Sequence, residues 1–355
     1  MTPEFGDGTR VVHSVSGEPG DPFGAQPVFA SAYHLGGEDY YGRAGNPTWR
    51  ALESALGSLE GGECVVFPSG MAAISTLLRT VLSTGDTLVV PSDGYFLTRK
   101  FVSEMDVTVV EVPTAGPYPS FEGVRLVLLE TPSNPGLDVC DIAELASLAH
   151  AAGALLAVDN TTATPLGQRP LELGADIVVA SDTKAVAGHS DVLFGHVTLA
   201  SPELAAKVRD ARTLNGAIPG PFETWLALRG LGTLDLRLAR QAENAAAIHA
   251  LLKGRVANLR WPGASDDPSY LVAAQQMRRF NGVLTFELPD VAAVERFLSR
   301  SKLVSAATSF GGLHSTADRR AQFGDPVPEG LVRFSAGCED TRDLVADVSH
   351  ALGLD

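Results

Sequence analysis

The amino-acid sequence predicts an α/β protein in which a mostly parallel sheet is covered by helices on both faces. Between residues 63 and 180, short runs of Val, Ile and Leu alternate with segments of helical periodicity, and the runs are almost wholly apolar. Strands buried on both faces have this composition, and helical connections join parallel strands. The chain has 355 residues, of which 45% are hydrophobic and 19% charged, so it can bury a large core.

The elements follow one another in an order that can be read from these patterns. Residues 1–46 are rich in Gly, Pro and polar residues without sustained periodicity, so they form either a disordered tail or an arm that is ordered against another surface. The aromatic residues of "SAYHLGGEDYYGR" favour the arm. Asn46 and Pro47 mark a helix start, after which Leu52 and Leu56 recur at helical spacing. The predicted strands that follow are "CVVF", "TLVVP", "VTVVEV", "RLVLLE", "LLAVD" and "ADIVVA". Between them, helices are predicted from Ser69, near Tyr95 and over "DIAELASLAHAAG".

A smaller α+β domain is predicted for the C-terminal third of the chain. An amphipathic stretch at residues 219–253 leads into it. Its segments are "GVLTFEL", "VAAVERFLSR", "LVRFSAG" and "DTRDLVADVSHALG". We therefore divide the chain into an arm at residues 1–46, a larger domain at 47–230 and a C-terminal α+β domain at 231–355.

Charge and cysteine content exclude several classes of protein. A formal net charge of −15 argues against nucleic acid and anionic membranes as main partners. Cys64, Cys140 and Cys338 are far apart and form no C-x-x-C pair, so neither a disulfide framework nor a metal site is expected. The first residues lack a signal-peptide pattern and no apolar run reaches transmembrane length, so we expect a cytoplasmic protein.

Lys184 is one of only five lysines, and it closely follows the apolar run "ADIVVA". A buried lysine is costly unless it is paired, neutral or covalently used. Asp159 ends the run "LLAVD" 25 residues earlier, and Ser69, Gly70 and Met71 open a helix whose free N–H groups suit phosphate. Since ligands of open α/β sheets bind at the carboxyl ends of the strands, we expect these residues to share one site.

Each of these features also has an ordinary structural explanation. A Ser-Gly pair occurs at many strand–helix turns, Asp159 is placed to cap a helix, and a strand-end lysine commonly extends its amine to solvent. Together, however, the features match the requirements of pyridoxal phosphate. This cofactor needs a lysine for its Schiff base, a carboxylate beside its pyridine nitrogen and donors for its phosphate.

Six segments resemble the cystathionine γ-synthase/γ-lyase family of Cys/Met-metabolism enzymes that use pyridoxal phosphate, with cystathionine γ-lyase the nearest type. They are "YGRAGNPTWRALESALGSLEG", "PSGMAAIS", "ETPSNPGLDVCDI", "AVDNT", "RPLELGADIVVASDTKAVAGHSD" and "VRFSAGCEDTRDLVADV", in that order from Tyr41 to the C-terminus. The resemblance implies the fold type I of pyridoxal phosphate-dependent transferases, which is aspartate aminotransferase-like. Residues 47–230 would then form the cofactor-binding domain.

The resemblance also implies how the cofactor is held. Lys184 forms the Schiff base and moves protons between substrate carbons, and Asp159 pairs with the ring nitrogen. Tyr95 stacks on the ring and assists at the leaving group, while Asn134 contacts the phenolic oxygen. The residues implied to hold the phosphate are Gly70, Met71, Ser181 and Thr183, together with Tyr41 and Arg43 from a neighbouring subunit. The arm would thus serve a homotetramer built as a dimer of dimers.

Arg333 and Ser309 are implied to hold the α-carboxylate of an amino-acid substrate. An arginine fork is a natural bidentate clamp for a carboxylate, although a surface ion pair is the alternative for Arg333. We interpret His189 as structural support rather than as a catalytic base, since a lone histidine is commonly a satisfied polar residue. The three cysteines are interpreted as packing residues.

The chain departs from the family pattern at three places near the expected site. Ala185 stands where the family usually has Tyr, and Phe96 and Leu97 replace the usual Gly-Gly after the tyrosine. The segment at residues 309–331 is shorter than in the family, and His314 stands where many members have Glu. This segment helps to set substrate and β- versus γ-specificity in the family.

The resemblance implies a carbon–sulfur lyase that converts cystathionine to cysteine, 2-oxobutyrate and ammonia. The first alternative is γ-replacement on an activated homoserine, as in cystathionine γ-synthase, followed by methionine γ-lyase or cystathionine β-lyase chemistry. A nicotinamide dehydrogenase is compatible with an α/β pattern, but no G-x-G-x-x-G follows the first strand and Lys184 would be unexplained. A non-catalytic scaffold would be expected to lose Lys184 or Asp159, and both are present.

Overall fold

The computed structural model describes residues 5–15 and 17–354, so residues 1–4 and 16 of the predicted arm and residue 355 of the predicted C-terminal domain lie outside it. The described part contains two β-sheets. The strands of the larger sheet are β1 (Glu63–Phe67), β2 (Thr87–Pro91), β3 (Thr108–Val112), β4 (Val124–Glu130), β5 (Leu155–Asp159), β6 (Ile177–Ala180) and β7 (Gly195–Leu199). The strands of the smaller sheet are β8 (Ala257–Arg260), β9 (Val283–Glu287), β10 (Ser305–Ala306), β11 (Thr316–Arg319) and β12 (Leu331–Ser335).

Helices precede, connect and follow these strands. In chain order they are α1 (Asp7–Val12), α2 (Pro47–Glu60), α3 (Gly70–Val81), α4 (Phe96–Ser103), α5 (Ile142–Ala151), α6 (Thr164–Gly167), α7 (Pro202–Asn215), α8 (Pro221–Leu231), α9 (Leu234–Leu252), α10 (Tyr270–Gln276), α11 (Val291–Arg300) and α12 (Thr341–Leu352). Within the described ranges, no helix has both the length and the hydropathy needed to cross a membrane.

The larger sheet has the strand order β1-β7-β6-β5-β4-β2-β3 and is mostly parallel. Strands β6, β5, β4, β2 and β3 run in one direction, whereas β7 is antiparallel to both of its neighbours. Leu126 and Leu128 face a core shared with α3 and α7, and Val127 and Leu129 face the opposite side against α5. The sheet is therefore covered on both faces, and the predicted fold class is confirmed.

The predicted helix start at Asn46 is confirmed by its geometry. The Asn46 backbone is extended and its side chain accepts a hydrogen bond from the Thr48 N–H at 2.8 Å, which is the usual N-cap arrangement. The following helix, α2, buries Leu52 and Leu56 against β1 and α8. This start agrees with the predicted boundary at residue 46, although the division of the chain into domains stays a prediction.

Three features differ from the expectation. The arm contains helix α1, which buries Val11 against the core, although the sequence showed no sustained periodicity there. The stretch at residues 219–253 forms two helices, α8 and α9, separated by Gly232 and Thr233. Strand β7 was not predicted, because Gly195, His196 and Thr198 interrupt its apolar pattern.

Gly195 is required by a close approach of two chain segments. A Cβ at this position would lie 2.7 Å from main-chain atoms of Ser69 and Gly70, at the start of α3. We expect Gly195→Ala to lower the free energy of unfolding by about 1–3 kcal/mol, because the added carbon overpacks rigid backbone. Urea unfolding monitored by circular dichroism measures the change.

Gly232→Ala is the matched control for this substitution. A Cβ at Gly232 would meet only the Arg229 carbonyl oxygen at 3.5 Å, and the backbone there is α-helical. The control variant should unfold at the wild-type urea midpoint or slightly above it, because alanine restricts the unfolded chain more than glycine does. Equal midpoints for the Gly195 and Gly232 variants would contradict the argument.

Candidate active site

A cavity of about 430 Å³ lies at the carboxyl ends of β4, β5 and β6, where the larger sheet meets the smaller one. It brings together the residues predicted from the sequence, except Tyr41 and Arg43. The predicted residues in its lining are Gly70, Met71, Tyr95, Asn134, Asp159, Ser181, Thr183, Lys184, Ser309 and Arg333. This position obeys the rule for ligand sites in open α/β sheets.

The start of α3 forms one end of the cavity. The Ser69 side chain caps the helix by accepting a hydrogen bond from the Ala72 N–H at 3.1 Å. A Cβ at Gly70 would lie 2.7 Å from the Ser181 side chain, so the two segments touch. N–H groups at a helix N-terminus beside a hydroxyl form a cradle for an anion, and this geometry fits a phosphate group.

Thr183 and Ser181 are held in place by main-chain contacts. The Thr183 hydroxyl donates to the Phe194 carbonyl at 3.1 Å and accepts from the Phe194 N–H at 2.9 Å. The Ser181 N–H donates to the Thr161 hydroxyl at 2.8 Å. The Thr183 bonds tie the loop that carries Lys184 to the start of β7, and the Ser181 bond ties it to the residues that follow β5.

Lys184 extends into the cavity from that loop and is largely removed from water. The pKa of its amine is lowered to about 8, chiefly by burial and also by the charge of Arg333, while the charge of Asp159 opposes the change. The Lys184 Nζ lies 5.7 Å from the centre of the Phe310 ring. An amine with this pKa is deprotonated in a larger fraction of molecules near neutral pH than an ordinary lysine, and the deprotonated form can attack a carbonyl carbon.

Asp159 shares the strand ends with a second carboxyl group, Glu130. The two residues are partners in the parallel ladder between β4 and β5, and burial raises the pKa of both. At Asp159 this rise is opposed by hydrogen bonds from Thr161 and by the charges of Lys184 and His196. The pKa of Glu130 is raised well above its usual range, whereas that of Asp159 is raised less, so Glu130 is the more readily protonated of the two carboxyl groups.

Tyr95 lies in the same wall, at the residue that precedes α4. Its N–H donates to the Glu130 carboxyl at 2.6 Å, and its ring meets Phe96 edge-on at 5.2 Å. Burial raises the pKa of the Tyr95 phenol, so the phenol is protonated at neutral pH. Glu130 therefore sets the position of the loop that presents the Tyr95 ring to the cavity.

Arg333 enters from β12 and is only 4% exposed, so the alternative of a surface ion pair is wrong. It donates to the Asn134 side-chain oxygen at 2.7 Å and to the Ser309 carbonyl at 3.3 Å. It also pairs with Asp318 at 3.0 Å. Burial lowers the pKa of the guanidinium to about 10 and Asp318 opposes that change, so the group is charged at neutral pH.

Glu130, Phe310 and Arg320 line the cavity but were not singled out from the sequence. A signal existed for Glu130, because it ends the run "RLVLLE" in the same way that Asp159 ends "LLAVD". Arg320 lies in the shortened segment and bonds to Asp318 and Asp325, at 3.0 and 2.8 Å. Nothing in its sequence context distinguished it from its neighbour Arg319.

Tyr41 and Arg43 lie outside the cavity of their own chain. Both are exposed, and the Arg43 guanidinium covers the Tyr41 ring at 5.0 Å. Other large apolar side chains of the arm are also exposed, including Phe23, Phe29 and Leu35. An arm with this much apolar surface is suited to an interface.

A second cavity, of about 580 Å³, adjoins the first at Lys184. It contains His314 and shares Thr183, Ser309 and Phe310 with the first cavity. His314 is exposed, which places the shortened segment at the mouth of this second cavity.

Ala185, where the family usually has Tyr, is buried and packs against Gly311, where a Cβ would lie 2.9 Å from the Ala185 nitrogen. His189 bonds to the Ala187 carbonyl at 2.6 Å and does not line either cavity.

Asp182, His196 and Glu60 form a fully buried charged group beneath the Lys184 loop. The His196 Nδ1 lies 2.9 Å from an Asp182 oxygen, and its Nε2 lies 3.7 Å from a Glu60 oxygen. Burial alone would lower the pKa of His196, but the two carboxylates raise it to about 10. His196 is therefore a permanent cation at neutral pH.

These residues fit pyridoxal phosphate. A largely buried amine of lowered pKa after β6, a carboxylate at the end of the adjacent strand β5 and an anion cradle at α3 surround one cavity. Lys184 would bind the cofactor covalently, Asp159 would stand by its ring nitrogen, and the start of α3 with Ser181 would take its phosphate. The three cysteines are free and lie outside both cavities.

Comparison with known proteins agrees with this interpretation. The family of Cys/Met metabolism PLP-dependent enzymes matches residues 29–353. A Streptomyces coelicolor protein named "Putative cystathionine gamma-lyase" is 50% identical, with 98% of this chain and 93% of that protein covered. Cystathionine γ-synthase of Mycobacterium tuberculosis is 35% identical, with 98% and 97% covered. The structure of cystathionine γ-synthase from Xanthomonas oryzae in complex with cystathionine superposes with a TM-score of 0.94 at 34% identity, with 99% and 98% covered.

The buried His196 cation predicts a pH dependence of stability. Its pKa rises from 6.5 to about 10 on folding, so its stabilising contribution is complete below pH 6.5 and is lost as the pH rises through about 10. The free energy of unfolding should therefore fall across this range. Urea titrations at a series of pH values measure it.

The double variant Asp182→Asn, His196→Gln is the control, because it removes the titrating ring and its carboxylate partner together. Its free energy of unfolding should depend less on pH between 6.5 and 10 than that of the wild type. Parallel pH profiles for the two proteins would show that His196 does not titrate in this way.

Proposed function

The chain belongs to the family of Cys/Met metabolism PLP-dependent enzymes, and we propose that it catalyses the α,γ-elimination of cystathionine. With one water molecule, the products are cysteine, 2-oxobutyrate and ammonia. The observation that carries the proposal is the 50% identity to a relative named as a γ-lyase, over nearly the whole of both chains. The cavity supplies the groups that this reaction requires.

Pyridoxal phosphate, when bound, withdraws electrons from the substrate and so makes the hydrogens on Cα and then Cβ acidic. Lys184 is the base that would take and relocate these protons, since its amine lies in the cavity and has a pKa of about 8. A base with a pKa close to the working pH both accepts and returns a proton efficiently.

Asp159 would keep the ring nitrogen of the cofactor protonated. The carboxylate is buried, and Thr161 donates to one of its oxygens at 3.0 Å, which fixes its orientation. The neighbouring Glu130 is the more readily protonated carboxyl group, so Asp159 would retain its negative charge near a cationic partner.

Arg333 would bind the substrate α-carboxylate, with Ser309 beside it. Asn134 and Asp318 fix the guanidinium plane through hydrogen bonds of 2.7 and 3.0 Å. A guanidinium held in this way loses little further freedom when it binds a carboxylate. The Arg333 guanidinium also lies 5.2 Å from the centre of the Phe310 ring, which the Lys184 amine approaches to 5.7 Å.

A second candidate is γ-replacement on an activated homoserine. It is favoured by the second cavity of about 580 Å³, which adjoins Lys184 and has room for a second reactant. The relative from Mycobacterium tuberculosis is named as a synthase, although its identity to this chain is lower. We rank this reaction below elimination for that reason.

Product analysis by mass spectrometry, with cystathionine and the cofactor-loaded protein, tests the proposal. We expect cysteine and 2-oxobutyrate, and we expect Lys184→Ala to abolish both and to alter the visible absorbance of the cofactor. Homocysteine and pyruvate would instead mean β-elimination. If cystathionine is not consumed although the cofactor is bound, the lyase proposal is wrong, and activated homoserines with added thiols test the alternative.

We also propose that the arm completes the site of a second copy of the chain. Its support is that Tyr41 and Arg43 are exposed, lie outside their own cavity and belong to an arm that exposes several large apolar side chains. Co-expressing Arg43→Ala with Lys184→Ala should then restore activity above that of either variant, because a hybrid dimer contains one intact site. Activity of the mixture no higher than the sum of the separate variants would refute the shared site.

A further inference from the structure

Arg237, on α9, reaches under the loop at residues 185–188 that follows Lys184. Its guanidinium donates to the Ala185 carbonyl at 2.5 Å, to the Val186 carbonyl at 3.0 Å and to the Gly230 carbonyl at 2.7 Å. Its Nε donates to the Thr233 hydroxyl at 3.1 Å, and the side chain belongs to a residue only 5% exposed. One side chain thus joins the lysine loop to the connection between α8 and α9.

The charge of Arg237 has no carboxylate partner among the described residues. The ion pairs among those residues all involve other cations. Burial lowers the pKa of Arg237 to about 10, so the guanidinium is still charged at neutral pH. A buried cation is costly unless its donors are satisfied. Here main-chain carbonyl oxygens and one hydroxyl satisfy them, so the guanidinium and the loop stabilise each other.

The loop has little room to adopt another conformation. Gly188 has φ +69°, and a Cβ there would lie 1.9 Å from an Arg237 nitrogen. On the other side, a Cβ at Gly230 would lie 2.3 Å from the Ala187 carbonyl oxygen. The loop at residues 185–188 is therefore packed between α8 and the guanidinium with no intervening space.

This contact acts directly on the residue that carries the reactive amine. The Gly188 N–H donates to the Lys184 carbonyl at 2.9 Å, so the turn anchored by Arg237 closes on Lys184 itself. We propose that Arg237 is a positioning residue, which orients the Lys184 amine by holding the main-chain carbonyls that follow it. The inference rests on the proposed role of Lys184 and not on the identity of the substrate.

The test compares the cofactor-loaded wild type with Arg237→Gln and Arg237→Lys. Visible circular dichroism, normalised to bound pyridoxal phosphate, reports the orientation of the cofactor, and borohydride trapping with peptide mass spectrometry reports the share attached to Lys184. We expect both to fall in the Gln variant, and kcat for the amino acid that the wild type consumes to fall about 10- to 100-fold with little change in KM. The Lys variant, which keeps the cation, should give intermediate values.

Arg240→Gln is the matched control, because Arg240 lies one turn further along α9, is exposed and pairs with Glu243 at 3.2 Å. It should match the wild type in every readout. Wild-type dichroism and trapping in Arg237→Gln would overturn the inference. If that variant does not fold, Arg237→Lys decides alone, and wild-type values in it would overturn the inference equally. A wild type that leaves cystathionine intact would refute the lyase proposal without affecting the dichroism or the trapping.

Discussion

Burial of the Lys184 ammonium is the constraint on which the rest of the site depends. A lysine removed from water favours its neutral form, and that is the form that attacks a carbonyl carbon. The fold buries Lys184 by placing it after β6, at the carboxyl ends of the strands of a doubly covered sheet and facing the smaller sheet. The nearby Arg333 lowers the pKa of the amine further, whereas Asp159 limits the change. The balance leaves the pKa of the amine at about 8, so a minor fraction of the amine is neutral near pH 7.

Other charged groups in and near the cavity are also buried, and they lie next to groups of opposite charge. Arg333 and Arg320 share the Asp318 carboxylate, while His196 lies between Asp182 and Glu60. Because a buried charge without a partner is strongly destabilising, these networks hold their members in fixed positions. Arg237 follows the same principle with carbonyl groups in place of a carboxylate. Rigid placement of Lys184 and Arg333 is thus a consequence of charge burial as much as of packing.

The residues recovered from the sequence and those missed differ in a physical way. Asp159 and Lys184 could be found because the first ends an apolar run and the second closely follows one, which are local patterns. The fold class followed from the same alternation of runs and helices. Strand β7 was not predicted because Gly195, His196 and Thr198 interrupt its apolar pattern. The imidazole of His196 pairs with the carboxylate of Asp182, which lies 14 residues earlier in the chain. A pattern search along the chain does not detect a partner that only the pairing of β6 with β7 brings into contact.

The sequence by itself determined the α/β class through periodicity, and the cofactor through motifs that resemble a known family; both are local properties of the chain. It also predicted which residues would hold that cofactor. The tertiary structure alone decided which distant residues share the cavity. It brought Arg320 and Phe310 to the cavity wall, paired Glu130 with Asp159, and placed Arg237 under the lysine loop from 52 residues away. These contacts depend on how the two sheets and α9 pack, and packing joins residues by shape and burial rather than by their order in the chain.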